Sequence, residues 1–107
     1  MARRKDAWTR LDPRDREAIG RILAPVVRRY GADVWLFGSR ARGDARRASD
    51  IDVALRAPTP VPPDVLAGVR EALEESHIPF RVDLVDYRSA AEGLQRAIDA
   101  EGVAWIG

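Results

Sequence analysis

The chain has no cysteine, one histidine (His77) and one lysine (Lys5). Without cysteine there are no disulfides, no thiolate zinc sites and no thiol nucleophiles. A single histidine cannot build an imidazole cluster, which turns attention to oxygen ligands for any metal site. Long apolar stretches are missing too. No run approaches the roughly eighteen residues needed to span a bilayer, and the start, "MARRKDAWTRLDPRDREA", is charged where a secretory signal is apolar. The expectation is a cytoplasmic protein with no membrane contact. Net charge is nearly absent: 18 basic side chains oppose 17 acidic ones, for a formal +1. The overall field therefore gives no reason to expect direct nucleic-acid binding, and local clusters must carry any argument about ligands. At 107 residues the chain suits one hydrophobic core. We read residues 1–107 as a single domain whose residues 1–8 are disordered.

What is present begins with helical periodicity. Asp12 followed by Pro13 marks a helix start, since Asp accepts from free amides and proline fits the first turn. Ala18, Ile19, Ile22, Leu23, Val26, Val27 and Tyr30 then share one face, and Gly31 ends the helix. "ADVWLFG" reads as a buried strand and "DIDVALRA" as a second one. The prolines of "APTPVPPD" lead into a helix with Val65, Leu66, Val69 and Leu73 on its apolar side. "PFRVDLVDY" is a third strand, with His77 before it as a capping side chain. Ser89 and Glu92 have the spacing of a capping box for a last helix that stops at Gly102, and "VAWIG" suits a short edge strand. The order α-β-β-α-β-α describes an α+β fold, a small mixed sheet with helices on one face.

Strand parity gives this scaffold a chemistry. Ile51, Val53 and Leu55 face one way, which sends Asp50 and Asp52 to the other side. In the third strand Phe80, Val82 and Leu84 are apolar, which puts Asp83 on that same second side and leaves Asp86 as a strand-end or cap residue. If the strands are neighbours, three carboxylates converge. Two unit charges about 4 Å apart repel by about 4 kcal/mol at an effective dielectric near 20, so the cluster favours a cation. An all-oxygen donor set suits Mg²⁺ shared with phosphates. Ahead of these aspartates, Gly38 lacks a Cβ and permits close approach of backbone to phosphate, and Ser39 adds a hydroxyl and an amide. Arg40 and Arg42 offer positive charge to a triphosphate. No Gly-Lys-Ser/Thr follows, so this is not a Walker loop. Taken singly, each feature also has an ordinary reading: solvated strand aspartates, surface arginines, and Ser49 as a turn cap.

Together, Gly38-Ser39, ten intervening residues, Asp50-x-Asp52 and the later strand bearing Asp83 resemble the minimal nucleotidyltransferases of the DNA polymerase beta superfamily, and the resemblance covers nearly the whole chain. It implies a polymerase beta-like fold in which Asp50 and Asp52 hold two Mg²⁺ ions and Asp83 holds the catalytic one and helps activate the attacking hydroxyl. Gly38, Ser39, Arg40 and Arg42 would hold the phosphates of ATP. Many small members pair with a helical HEPN-type ribonuclease as its antitoxin, and the implied reaction is transfer of AMP to a tyrosine of that toxin. The chain's small size favours an acceptor brought by a protein partner. Two alternatives stand beside this: a catalytically silent antitoxin that neutralises by binding, and an enzyme acting on an RNA end or a small molecule.

Overall fold

The computed structural model describes residues 7–105. Helix α1 (Ala7–Arg10) leads into the long helix α2 (Pro13–Tyr30), followed by strand β1 (Asp33–Phe37), short helix α3 (Ser39–Arg42) and strand β2 (Ile51–Arg56). Helix α4 (Pro63–Glu75), strand β3 (Val82–Asp86), helix α5 (Glu92–Glu101) and the two-residue strand β4 (Val103–Ala104) complete the order. α2 starts as its sequence dictates: Asp12 accepts from the Arg14 amide at 2.8 Å and Pro13 occupies the first turn. It ends at Gly31, whose φ of 63° is a left-handed cap conformation.

The sheet runs β3-β2-β1-β4. β1 is antiparallel to β2 and to β4, whereas β2 and β3 are parallel and joined through α4. One face carries the main core: Ile19, Leu23 and Val26 from α2 and Leu66, Val69 and Leu73 from α4 pack on Val34, Leu36, Ile51, Val53, Leu55 and Leu84. The α+β class and the mixed sheet are as read from the sequence, but the helices do not all lie on one face. Ile98 of α5 forms a second, smaller core with Phe37 and Ala54, and Trp35, Val85, Tyr87 and Leu94 pack around it. These strand residues alternate with the main-core ones, so α5 covers the opposite face. The physical reason is apolar surface: Trp35, Phe37 and Val85 would stand in water if that side were bare.

Three local expectations change as well. Of the eight residues read as disordered, 1–6 lie outside the described residues, but Trp8 is completely buried. Its indole N–H donates to the Val103 carbonyl at 2.8 Å, and its ring meets Trp105 edge-on at 4.4 Å between centroids. The Ser89–Glu92 capping box does not form. Ser89 lies in a 3₁₀ turn, Tyr87–Ser89, and its hydroxyl donates to the Asp86 carbonyl, while Ala91 precedes the first turn of α5. At the end of α4 Ser76, and not His77, closes the helix, with its hydroxyl 2.6 Å from the Leu73 carbonyl.

The buried Trp8 yields a prediction. Trp8→Ala should destabilise the protein by about 3–5 kcal/mol, the usual cost of emptying a large aromatic site, and Trp8→Phe by less. Denaturant unfolding measures this; a loss under about 1 kcal/mol for the alanine variant would mean that α1 is not part of the core.

Candidate active site

The site is assembled by strand register. Phe37 of β1 pairs with Asp52 of β2, and Asp52 pairs with Asp83 of β3. Register partners on adjacent strands point to the same face at a spacing of about 4.8 Å. Asp52 and Asp83 therefore stand side by side on the α5 face, beyond the small core of Phe37 and Ala54. Asp50 lies just before β2 and is exposed, two residues from Asp52. Asp86 belongs to the other face: it is buried, and its Oδ1 accepts from the Arg88 amide at 3.1 Å to cap the 3₁₀ turn.

Gly38 links the strand to α3 with φ 75° and ψ −158°. This backbone is costly for a side chain, and a Cβ there would collide with Oδ2 of Asp52. The absent Cβ lets the Gly-Ser turn close directly onto the Asp52 carboxylate. Ser39 opens α3, where the first amides have no carbonyl one turn earlier to bond. Polar backbone donors thus adjoin the carboxylate pair, an arrangement suited to a phosphate bridged by a cation.

Two arginines organise the rim. Arg40 donates from Nε and Nη2 to the Ser49 carbonyl at 3.1 and 2.6 Å, and from Nε to the Asp50 carbonyl at 3.3 Å. Its guanidinium also lies 4.4 Å from the centre of the Phe80 ring. Arg40 therefore ties the lead-in of β2 to the lead-in of β3, the two segments that deliver Asp50 and Asp83. Ser49 in turn accepts from the Arg46 amide at 2.8 Å, fixing the turn before β2. Arg42 makes ion pairs with Asp44 at 3.2 Å and with Glu101 at 3.0 Å. Glu101 was not singled out in the sequence. It also accepts from the Gly38 amide at 3.1 Å, which brings the end of α5 to the Gly-Ser turn. The available signal was a carboxylate in the last turn of a helix, where the helix dipole disfavours negative charge.

Electrostatics indicate what the pair needs. Burial, then the charges of Asp83 and Asp50, push the Asp52 carboxyl from an ordinary 3.8 up to about 6, with Arg42 and Arg40 pulling the other way. A half-buried carboxylate crowded by two others is a site short of positive charge. Among the described residues, no group of three Asp, Glu or His side chains is already gathered around one point. The donors at hand are the oxygens of Asp52 and Asp83, with Asp50 at the rim. That set fits Mg²⁺, which takes one or two carboxylates and completes its shell with water and phosphate oxygens.

The raised Asp52 value sets a pH dependence. In the unfolded chain this group ionises near 3.8 and in the folded protein near 6, so the unfolded state loses its proton first as pH rises. Stability from this group is highest below about pH 4, declines up to about pH 6 and is flat above. In chelator, Asp52→Asn should therefore be more stable than the parent at pH 8 and converge with it near pH 4. Melting curves across that range test it; a difference independent of pH would contradict the crowding.

Comparison with known proteins shows the family. The family described as polymerase beta, nucleotidyltransferase, matches residues 31–106. A Haemophilus influenzae protein described as probable protein adenylyltransferase MntA is 40% identical over 79 residues, covering 72% of this chain and 66% of that protein. The match thus spans just under two thirds of the relative's length. Among solved structures, a toxin–antitoxin with AMP-PNP is similar at 29% identity, covering 81% of this chain and 72% of that chain, with a TM-score of 0.64. A mutant form of the toxin–antitoxin MntA-HpeT aligns at 28% identity over 85% of this chain and 71% of that chain, with a TM-score of 0.67. The matched region runs from the glycine that ends α2 past the last strand and takes in the Gly-Ser turn and all three aspartates, and on that ground the chain belongs to the polymerase beta nucleotidyltransferase family.

Proposed function

We propose that this protein is a Mg²⁺-dependent adenylyltransferase that moves AMP from ATP to a hydroxyl, a tyrosine of a HEPN-type toxin, and so acts in the cytoplasm as that toxin's antitoxin. The observation that carries the reading is the in-register pair Asp52 and Asp83 beside the Gly38-Ser39 turn. The description of the Haemophilus influenzae relative as a probable protein adenylyltransferase supports the reaction class, and the toxin–antitoxin character of the solved relatives supports the partner.

The chemistry assigns each residue a task. Gly38 and Ser39 receive the β- and γ-phosphates, and Arg42 stands at the rim to balance their charge. Arg40, whose guanidinium is committed to the Ser49 and Asp50 carbonyls, serves the phosphates chiefly by holding Asp50 in place. Asp50, Asp52 and Asp83 would hold two Mg²⁺ ions, which supply charge neutralisation to the phosphate oxygens and the leaving group. The acceptor oxygen bonds to the α-phosphorus. The bond from that phosphorus to the oxygen bridging toward the β-phosphorus breaks, pyrophosphate leaves with the electron pair, and the hydroxyl proton passes to Asp83.

Two measurements test this. Saturating Mg-ATP should raise the melting temperature, because binding at a hundredfold excess over Kd adds about 2.7 kcal/mol to native stability, whereas ATP with chelator should do much less. Absence of any shift, with the protein alone and with its partner, would leave a binding-only antitoxin. Transfer of labelled AMP to the co-expressed toxin separates the carboxylates. Asp83→Asn should lose two orders of magnitude or more, equivalent to about 2.7 kcal/mol of transition-state stabilisation, while Asp86→Asn stays within a few-fold of the parent and loses stability. The reverse ranking would contradict the assignment of Asp83.

A further inference from the structure

Glu101 is the last residue of α5, and that helix has no basic side chain in its final turn. A carboxylate here opposes the helix dipole, so α5 itself has no use for it. The side chain is nonetheless mostly covered, at 23% exposure, and its hydrogen bonds and ion pair run to Gly38 and Arg42, at the two ends of the Gly-Ser turn and α3. One oxygen accepts from the Gly38 amide at 3.1 Å, and both oxygens accept from Nη1 of Arg42 at 3.0 Å. On the other side of the same glycine stands the Asp52 carboxylate, close enough to exclude a Cβ.

We infer that Glu101 is a positioning residue for the nucleotide: it locks the Gly38 peptide in its positive-φ geometry and holds Arg42 at the rim, so that the turn is preformed when a triphosphate arrives. This rests on the reading of Gly38-Ser39 as the phosphate-binding turn. A charge-assisted bond to an amide is among the stronger hydrogen bonds. Gly38, with no side chain of its own, has an unusually wide range of conformations to restrict. Without Glu101 the peptide can rotate, and each binding event must first reorder it, which lowers apparent affinity by the fraction of time the turn is competent. Arg42, shared between Glu101 and Asp44, offsets part of the charge that the lock brings to the site.

The test uses side chains of matched length. Glu101→Met fills the space but accepts no hydrogen bond, whereas Glu101→Gln keeps an oxygen for the Gly38 amide. Without nucleotide, exchange of the Gly38 amide proton, followed by NMR, should be about tenfold faster in the Met variant and near the parent rate in the Gln variant. The Kd for Mg²⁺ with AMP-PNP should rise about tenfold in the Met variant, a step of about 1.4 kcal/mol, and be largely restored by Gln, with both variants melting close to the parent. Parent-like exchange and affinity in Glu101→Met would overturn the inference. Tighter binding would overturn it too, because Glu101 would then be competing with phosphate for the amide. If the parent binds no Mg-AMP-PNP, the nucleotide reading has failed, while the exchange rates still decide whether Glu101 locks the turn. Should Glu101→Met not fold, Glu101→Ala compared with Glu101→Gln gives the same contrast.

Discussion

Everything at the site depends on the register of three neighbouring strands. With Phe37 opposite Asp52 and Asp52 opposite Asp83, the end of β1, the start of β2 and the start of β3 meet at one edge of one face. A slip of one residue in β2 would send Asp52 into the main core and Val53 to the surface, so the apolar alternation Ile51, Val53, Leu55 specifies the site as firmly as it specifies the core. The Gly38 turn follows from the same register. It must cross in front of Asp52, and only a residue without a Cβ can do so at φ 75°.

The second organising influence is charge. Burial, with the neighbouring charges of Asp83 and Asp50, disfavours the ionised form of Asp52, whose carboxyl is pushed up to about 6. Stability given up here is what a bound cation and polyphosphate would restore, which would make the strain a source of ligand affinity. The arginines of the loop after β1 divide the remaining work. Arg40 turns inward to backbone carbonyls and the Phe80 ring, fixing where two of the aspartates emerge. Arg42 stays at the rim between Asp44 and Glu101. Two arginines with the same apparent task in the sequence therefore do different jobs, because one lies over the β3 lead-in and the other faces α5.

Much of this was readable from residue spacing. The helix of residues 13–30, the apolar parity of β2 and β3, and the separation of Asp83 from Asp86 all follow from local periodicity, which tertiary packing reinforced. The misses share a cause, dependence on distant contacts. The second-face position of α5 is decided by Trp35, Phe37 and Val85, whose need for cover is invisible until the strands are adjacent. Trp8 is ordered by a carbonyl 95 positions away. Glu101 reaches Gly38 across 63 positions, and no local pattern announces that pairing beyond the misplaced charge at a helix end. Ser89 loses its capping role because Asp86 and Arg88 capture the turn first.

We propose that the Gly38-Ser39 turn and the Asp52–Asp83 pair form one nucleotide site. A crystal structure of the protein with Mg²⁺ and AMP-PNP tests it most directly. Triphosphate density is expected against the Gly38-Ser39 backbone, with metal ions contacting Asp50, Asp52 and Asp83. Nucleotide bound elsewhere, for example in the basic cleft between α2 and α4 lined by Arg14, Ile22, His77 and Phe80, with the aspartates bare, would contradict it.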